Sequence, residues 1–471
     1  MKRVLIGTVL LIQGAILYQP ADAQLTLGGA LHRADQSAFA NRIAAGATSE
    51  KQARALAPLK GILPSVRVEA GYVRTTDPIG AFGSTLRQRA ITQADFEPSR
   101  LNYPGAIGNY QGGIVVEAPI LNVDAWLGRR AALRASDASQ LSEVWTRLTI
   151  RVDVIRAYYG AVLSAERATM LRSAVRAAHA HQVQAEAMVR QGMVTKSDAL
   201  LAAVRAGEMD AQLAEADGAA DTAQRQLAVL LGGTGLDVRT DMPSLAELPS
   251  AERIRAVVAA DTSSISGQSR ADVEAAGHGL DAARADALRA RSTSLPRINS
   301  FARYDWNSPY RLYGGDRNWT AGIMASWSLF AGASEIADVR SASAREGQAR
   351  AGADAAQANA RLDVAQTRTT LAVALTRLNI AERAVAQSAE AHRIVARKYE
   401  GGLATVVELL DAQTTETQST LAFAQSRYAV IVSAAERRRA VGSDPATLVA
   451  LDDAPTRASS TPGATSNHEP Q

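Results

Sequence analysis

Two hydrophobic patterns alternate along the chain, and the first of them predicts β-strands. Apolar residues at every second position are typical of a strand with one apolar face. In the clearest example, 318–330, Trp319, Ile323 and Trp327 share one face and small polar residues occupy the other. Such a strand fits either a soluble sandwich or the lipid-facing wall of a membrane barrel. Four strands are predicted, at about 64–74, 110–121, 296–306 and 318–330.

The second pattern predicts very long helices. The chain has no proline in 123–190 or in 333–399, and roughly 65 residues at about 1.5 Å per residue make a helix near 100 Å long. A helix of that length is stable only when it packs against neighbouring helices. Shorter helices are predicted at about 32–57, 197–231, 251–291 and 406–441. The polar, turn-rich connections at 75–109 and 307–316 are predicted to be loops.

The order strand, strand, long helix, turn, helix occurs twice. Aligning Gly113 with Gly322 and Gly192 with Gly402 gives offsets that agree to within one residue, which predicts a duplicated unit. The predicted organisation is a signal peptide (1–23), a first repeat (24–231), an equatorial connection (232–250), a second repeat (251–442) and a tail (443–471) that is disordered from about 454.

The N-terminal segment has the features of a secretory signal. Lys2 and Arg3 precede an apolar stretch of about 14 residues, and Ala21-Asp22-Ala23 forms a cleavage site. That stretch is shorter than the roughly 20 residues that a spanning helix needs. Because no later apolar run is long enough either, the mature chain is predicted to be exported and to enter a membrane only through β-strands.

Composition narrows the possible functions. A net charge of +4 from 51 basic and 47 acidic residues, without a basic patch interleaved with aromatics, argues against nucleic-acid binding. The absence of cysteine excludes disulfides, thiolate metal sites and a cysteine nucleophile. Aromatic residues make up only 5% of the chain, and the abundant alanine suits long helices that lie close together.

The sequence offers little chemistry for an enzyme. His179 and His181 are two positions apart on a predicted helix, so their side chains diverge and cannot share a metal. The zinc-protease, nucleophile-elbow and P-loop motifs are absent. We therefore predict a protein that is not an enzyme and that has no cofactor and no metal.

Acidic residues follow both predicted helical turns. Asp198 follows Gly192, while Glu408 and Asp411 follow Gly402 with a spacing that places both carboxylates on one helix face. Such residues can simply cap a helix N-terminus. If several copies converge on an axis, Glu408 and Asp411 instead form stacked acidic rings that attract cations and raise the pKa of some members.

Three segments make the chain similar to a known family. They are 192–200, which reads GMVTKSDAL, 327–332, which reads WSLFAG, and 399–412, which reads YEGGLATVVELLDA. Together with the duplicated layout, they resemble the TolC-like outer-membrane efflux protein family. The resemblance extends over the mature chain to about Gly442.

The resemblance implies a mainly α fold with a membrane β-barrel. The duplicated strand-strand-long-helix-turn-helix repeat would form a trimeric 12-stranded β-barrel and a long periplasmic α-helical barrel. The implied function is the exit channel of a tripartite efflux pump, a passive, gated duct for small molecules. The implied partners are two further copies, a periplasmic adaptor, an inner-membrane transporter and outer-membrane lipid, and the implied location is the bacterial outer membrane.

The resemblance also implies roles for single residues. Glu408 and Asp411 match an acidic pore constriction, and Asp198 and Tyr399 match a network that closes the tip. The turns expected to face the adaptor contain Gly192, Met193, Val194, Thr195, Gly402, Leu403, Ala404 and Thr405. Family members can have a basic residue where this chain has Ala404, so the closing salt bridge is missing unless Lys196 or Lys398 replaces it.

The sequence leaves three alternative functions open. The same architecture serves as the duct of a type I protein secretion system. A secreted coiled-coil structural protein would explain the long helices but leaves the amphipathic strands unexplained. A periplasmic enzyme would need a constellation of side chains from distant segments.

Overall fold

A computed structural model of the protein describes residues 25–233, 245, 247–260, 270–330 and 332–451. The predicted signal peptide, most of the predicted equatorial connection and the predicted disordered tail lie outside the described residues. The chain divides into two compact units. One, here called the helical unit, comprises Met1–Arg42, Thr146–Gln268 and Asp363–Gln471, and the other, the sheet unit, comprises Ile43–Trp145 and Ser269–Leu362.

The described residues are mostly helical. The α-helices are α1 (Leu27–Ser37), α2 (Phe39–Arg54), α3 (Pro78–Arg87), α4 (Pro98–Asn102), α5 (Val123–Arg190), α6 (Lys196–Leu230), α7 (Ala251–Ala260), α8 (Ala271–Ser292), α9 (Ser334–Glu400) and α10 (Val406–Ala440). Short 3-10 helices cover Ala57–Gly61, Gln93–Phe96 and Pro445–Leu451. Among the described helices, none is long and apolar enough to cross a lipid bilayer.

The core of the helical unit combines a few large side chains with many alanines. Tyr158, Tyr159 and Leu378 are fully buried, and small buried residues such as Ala161 and Ala424 lie between them. Small side chains let helix backbones approach closely, and the buried aromatic rings then fill the remaining space.

The sheet unit contains four antiparallel strands in the order β1-β2-β3-β4. They are β1 (Ser65–Thr75), β2 (Ile107–Leu121), β3 (Arg297–Ser308) and β4 (Asp316–Ser326). The register places Glu69 opposite Gly113, Gly113 opposite Asp305, and Asp305 opposite Asn318. Since β1 and β4 lie at the ends of this order, the outer edge of each is without a strand partner in the described chain.

The two faces of the sheet differ sharply in polarity. The apolar face is exposed and includes Val66, Val68, Ile114, Trp319 and Ile323. On the opposite face the Nε of Arg303 lies 2.7 Å from Oδ1 of Asp305, and an Nη of Arg303 lies 3.5 Å from Glu69. A polar cavity of about 450 Å³ lies over this charged face. The alternation follows from the two-residue period of a strand.

The connection between β1 and β2 is not the loop that the sequence predicted, because it contains α3 and α4. Asp77 caps α3 by accepting a hydrogen bond from the Gly80 N–H (2.6 Å), and Pro78 occupies the first turn. The segment is fixed to the sheet through buried amides. Gln88 donates to Asn109 (2.9 Å), which donates to Asn307 (2.8 Å).

Three further predicted elements have different bounds in the structure. The helix expected at 32–57 is divided into α1 and α2 at Ala38, whose ψ of 130° leaves the helical range. The strand expected at 318–330 ends at Ser326, which pairs with Arg297 at the start of β3. Pro296 precedes that residue and has no N–H with which to extend the pairing. The helix expected at 251–291 corresponds to α7 and α8, and residues 261–269 between them lie outside the described part of the chain.

Candidate functional site

The turns α5–α6 and α9–α10 have the same backbone geometry. Gly192 and Gly402 both have φ of +72°, a conformation that glycine adopts without the strain of a side chain. The Met193 N–H donates to the Met188 carbonyl (2.9 Å), and the Leu403 N–H donates to the Lys398 carbonyl (2.8 Å). These are the long bonds of Schellman motifs, which end α5 and α9 sharply. We call residues 188–198 and 399–411 together the tip.

The return helices begin with matching capping boxes. The Glu408 carboxylate accepts hydrogen bonds from the Thr405 N–H (2.7 Å) and hydroxyl (3.1 Å), and the Glu408 N–H donates to the Thr405 hydroxyl oxygen (3.2 Å). Asp198 and Thr195 make the same three bonds at the start of α6. Each box satisfies donors that a helix N-terminus leaves unpaired. The acidic residues that follow the glycines therefore have a structural role within a single chain.

The pKa of Glu408 in the single chain is shifted in the direction opposite to that expected of stacked acidic rings. Hydrogen bonds from Thr405 and the positive charge of Lys398 hold the pKa of the Glu408 carboxyl below its ordinary value. Lys398 thus provides a positive charge close to the turn in which Ala404 provides none. Asp411 lies one turn further along α10, and its side chain is exposed.

An apolar cluster joins the two turns. Tyr399 is only 2% exposed and packs with Met188 of α5 and with Val406, Leu409 and Leu410 of α10. Val194 and Ala404, one from each turn, pack against this cluster. The tip is therefore a small core of its own, which the sequence analysis missed, although the apolar spacing of 406, 409 and 410 on α10 indicates such a face.

Tyr399 and Asp198 are brought together at this core. The Tyr399 hydroxyl is buried and finds no hydrogen-bond partner among the described residues. Burial, followed by the negative charge of Asp198, raises the pKa of Tyr399 above its ordinary value. Met193 and Leu403, at the ends of the turns, are 58% and 81% exposed, so each turn presents an apolar side chain to solvent.

The two histidines of α5 have separate neighbours. The Nε2 of His179 lies 3.1 Å from Oδ2 of Asp210 on α6, whereas the His181 ring packs against His392 of α9 at 6.2 Å between centroids. Within the described residues no group of three histidine, aspartate or glutamate side chains is arranged to hold a metal ion. The contact of His181 was not predictable from the spacing of histidines along the chain.

The described chain combines long paired helices, a sheet with one exposed apolar face and turns that join helical hairpins. Residues 40–233 and 263–443 match the family described as outer membrane efflux protein. Because these ranges cover most of the chain, it belongs to the outer membrane efflux protein family. Membership confirms the predicted family and the predicted location in the outer membrane, and it favours a transport protein over a secreted coiled-coil structural protein.

Solved structures of outer-membrane proteins share the fold. The CmeC channel of Campylobacter jejuni is 16% identical, with a TM-score of 0.74 and 94% of each chain covered. VceC of Vibrio cholerae is 19% identical, with a TM-score of 0.71 over 88% of this chain and 96% of that one. The open state of the Neisseria gonorrhoeae MtrE channel is 17% identical, with a TM-score of 0.68 over 89% of both chains. A comparison with curated proteins finds no match.

Proposed function

We propose that three copies of the chain form a passive, gated exit duct in the outer membrane. The duct carries small molecules outward from an inner-membrane transporter and a periplasmic adaptor. The sheet is the observation that carries this proposal. It has an exposed apolar face, a charged opposite face, and two edges without strand partners in the described chain. Unpaired edges are costly in lipid, and three four-stranded sheets joined edge to edge make a closed 12-stranded barrel.

Two exposed tryptophans, one in β4 and one directly after it, support insertion in a bilayer. Trp319 and Trp327 are 76% and 62% exposed. Trp319 lies within β4, whereas Trp327 directly follows the end of β4 at Ser326. The apolar band of outer-membrane barrels is about 25 Å tall and is bordered by aromatic residues. In the assembled barrel the ion pairs of Arg303 with Glu69 and Asp305 face a wet lumen.

The tips of the three copies form the inner end of the duct. Glu408 and Asp411 of each copy line an acidic constriction, and Asp198 together with the packed ring of Tyr399 holds neighbouring hairpins together. The turns 192–195 and 402–405 dock on the adaptor. The shared turn geometry and the exposed Met193 and Leu403 support this assignment, as does the duplicated organisation into 24–231 and 251–442.

Single-channel recording in planar bilayers tests the proposal. The informative variant is Glu408→Gln/Asp411→Asn, because glutamine retains the acceptor of the capping box while removing the charge. Glu208→Ala is the matched control, since this carboxylate lies on α6 and pairs with Arg205 (2.7 Å). We expect a cation-selective pore whose selectivity falls in the double variant and is unchanged in the control.

Two results would contradict the proposal at different levels. A pore of unchanged selectivity in the double variant would refute the acidic constriction and leave the channel intact. Folded, detergent-extracted protein that forms no pore would refute the channel itself.

A further inference from the structure

A cluster of titratable side chains joins the two helical hairpins above the tip. His181 lies on α5, His392 on α9 and Glu416 on α10. His181 is eleven residues before Gly192, which corresponds to about 16 Å along the helix. Since α5 belongs to the first hairpin and α9 and α10 to the second, the cluster spans the contact that must change if the hairpins separate.

Contacts within the cluster are specific. The His392 Nδ1 lies 2.5 Å from the Glu416 Oε2, which ties α9 to α10. The rings of His181 and His392 meet edge to face at 78°. The His392 Nε2 is buried and has no hydrogen-bond partner in the described part of the chain. A cavity of about 350 Å³ adjoins His392 and Glu416.

The surroundings of His181 disfavour its charged form. Burial and then His392 lower the pKa of His181, while a hydrogen bond with Gln184 acts in the opposite direction. The ionisable groups facing the cluster are His392 from α9 and Glu416 from α10. Asp210 of α6 is bonded to His179, on a different side of α5. Because Glu416 is bonded to His392, a charged His181 has no counter-ion of its own within the cluster.

We propose that the contact between His181 and His392 is a proton-sensitive latch between the hairpins, released when the half-buried His181 ring becomes charged. The inference rests on the proposed channel function. Protonation of His181 places a positive charge in the partly buried contact between the two rings, where Glu416 is already bonded to His392, and this charge favours separation of α5 from α9. The direction of the pH dependence follows from the lowered pKa of His181. The neutral, packed contact is stable above the lowered pKa of His181 and is lost as the pH falls through it.

The test is the open probability of the channel in planar bilayers at pH 7.5 and pH 5.5. We expect the ratio of open to closed channels to rise on acidification. His181→Phe keeps an aromatic ring in the contact but cannot take up a proton, so its open probability should be independent of pH. His179→Gln is the matched control, because it removes a histidine of the same helix two residues away, and it should retain the response.

Each contrary result has a distinct meaning. An undiminished response in His181→Phe, or a loss of the response in His179→Gln, would overturn the latch. A wild-type pore without any pH response would overturn it as well. If His181→Phe does not fold, His181→Gln replaces it and is required to give the same loss. Absence of a pore in the folded wild type at both pH values would instead refute the proposed channel function.

Discussion

Replacing Tyr399 by phenylalanine tests how the tip is held closed. The ring is 2% exposed inside the cluster that joins the two turns, and its hydroxyl has no hydrogen-bond partner among the described residues. A buried hydroxyl without a partner costs about 1–3 kcal/mol relative to water. If opening of the tip exposes Tyr399, that cost falls on the packed state alone. Tyr399→Phe should therefore stabilise the packed state by a similar amount.

A difference of 1–3 kcal/mol corresponds to a change of about 5- to 150-fold in an equilibrium. We expect the ratio of open to closed channels in planar bilayers to be lower in Tyr399→Phe than in wild type, by a factor within that range. The control is Tyr158→Phe, because the Tyr158 hydroxyl donates to the Leu25 carbonyl (2.8 Å). Removal of the Tyr158 hydroxyl should lower the melting temperature without closing the pore. A rise in the open probability of Tyr399→Phe would refute the reasoning, since it would mean that the hydroxyl stabilises the packed state through a bond such as one to Asp198.

Three further predictions concern the start of α10. Thr405→Ala removes the cap and should destabilise the protein by about 1 kcal/mol, whereas Thr405→Ser should not; thermal denaturation followed by circular dichroism measures both. Leu409 is 1% exposed, so Leu409→Ala should cost about 2–5 kcal/mol, while the exposed neighbour variant Val407→Ala should cost much less by the same assay. Because the pKa of Glu408 is lowered in the folded state, its contribution to stability is present above its ordinary pKa and is lost as the pH falls through the lowered value. In an acid titration, the Glu408→Gln variant should lack this pH-dependent loss of stability. A dependence of stability on pH identical to that of wild type would contradict the capping role.

The start and end signals of the tip helices are local, and the sequence contains them. A glycine at each turn, followed by Thr195 with Asp198 or Thr405 with Glu408, is a complete stop-and-cap signal. A comparable signal, Asp77 before Pro78, marks the start of α3, yet polar composition led us to predict a loop there. The signal was readable because capping depends only on residues within one helical turn.

The sequence by itself determined the alternating faces of the strands, the proline-free length of α5 and α9 and the position of the turns, because each depends on residues close together in the chain. Only the tertiary structure decided which helix faces meet. Nothing in the spacing of histidines pairs His181 with His392, and nothing in strand periodicity connects Gln88 to Asn307 through Asn109. A long alanine-rich helix offers several similar faces for packing, so its side-chain contacts are determined by the other helices against which it packs rather than by its own pattern.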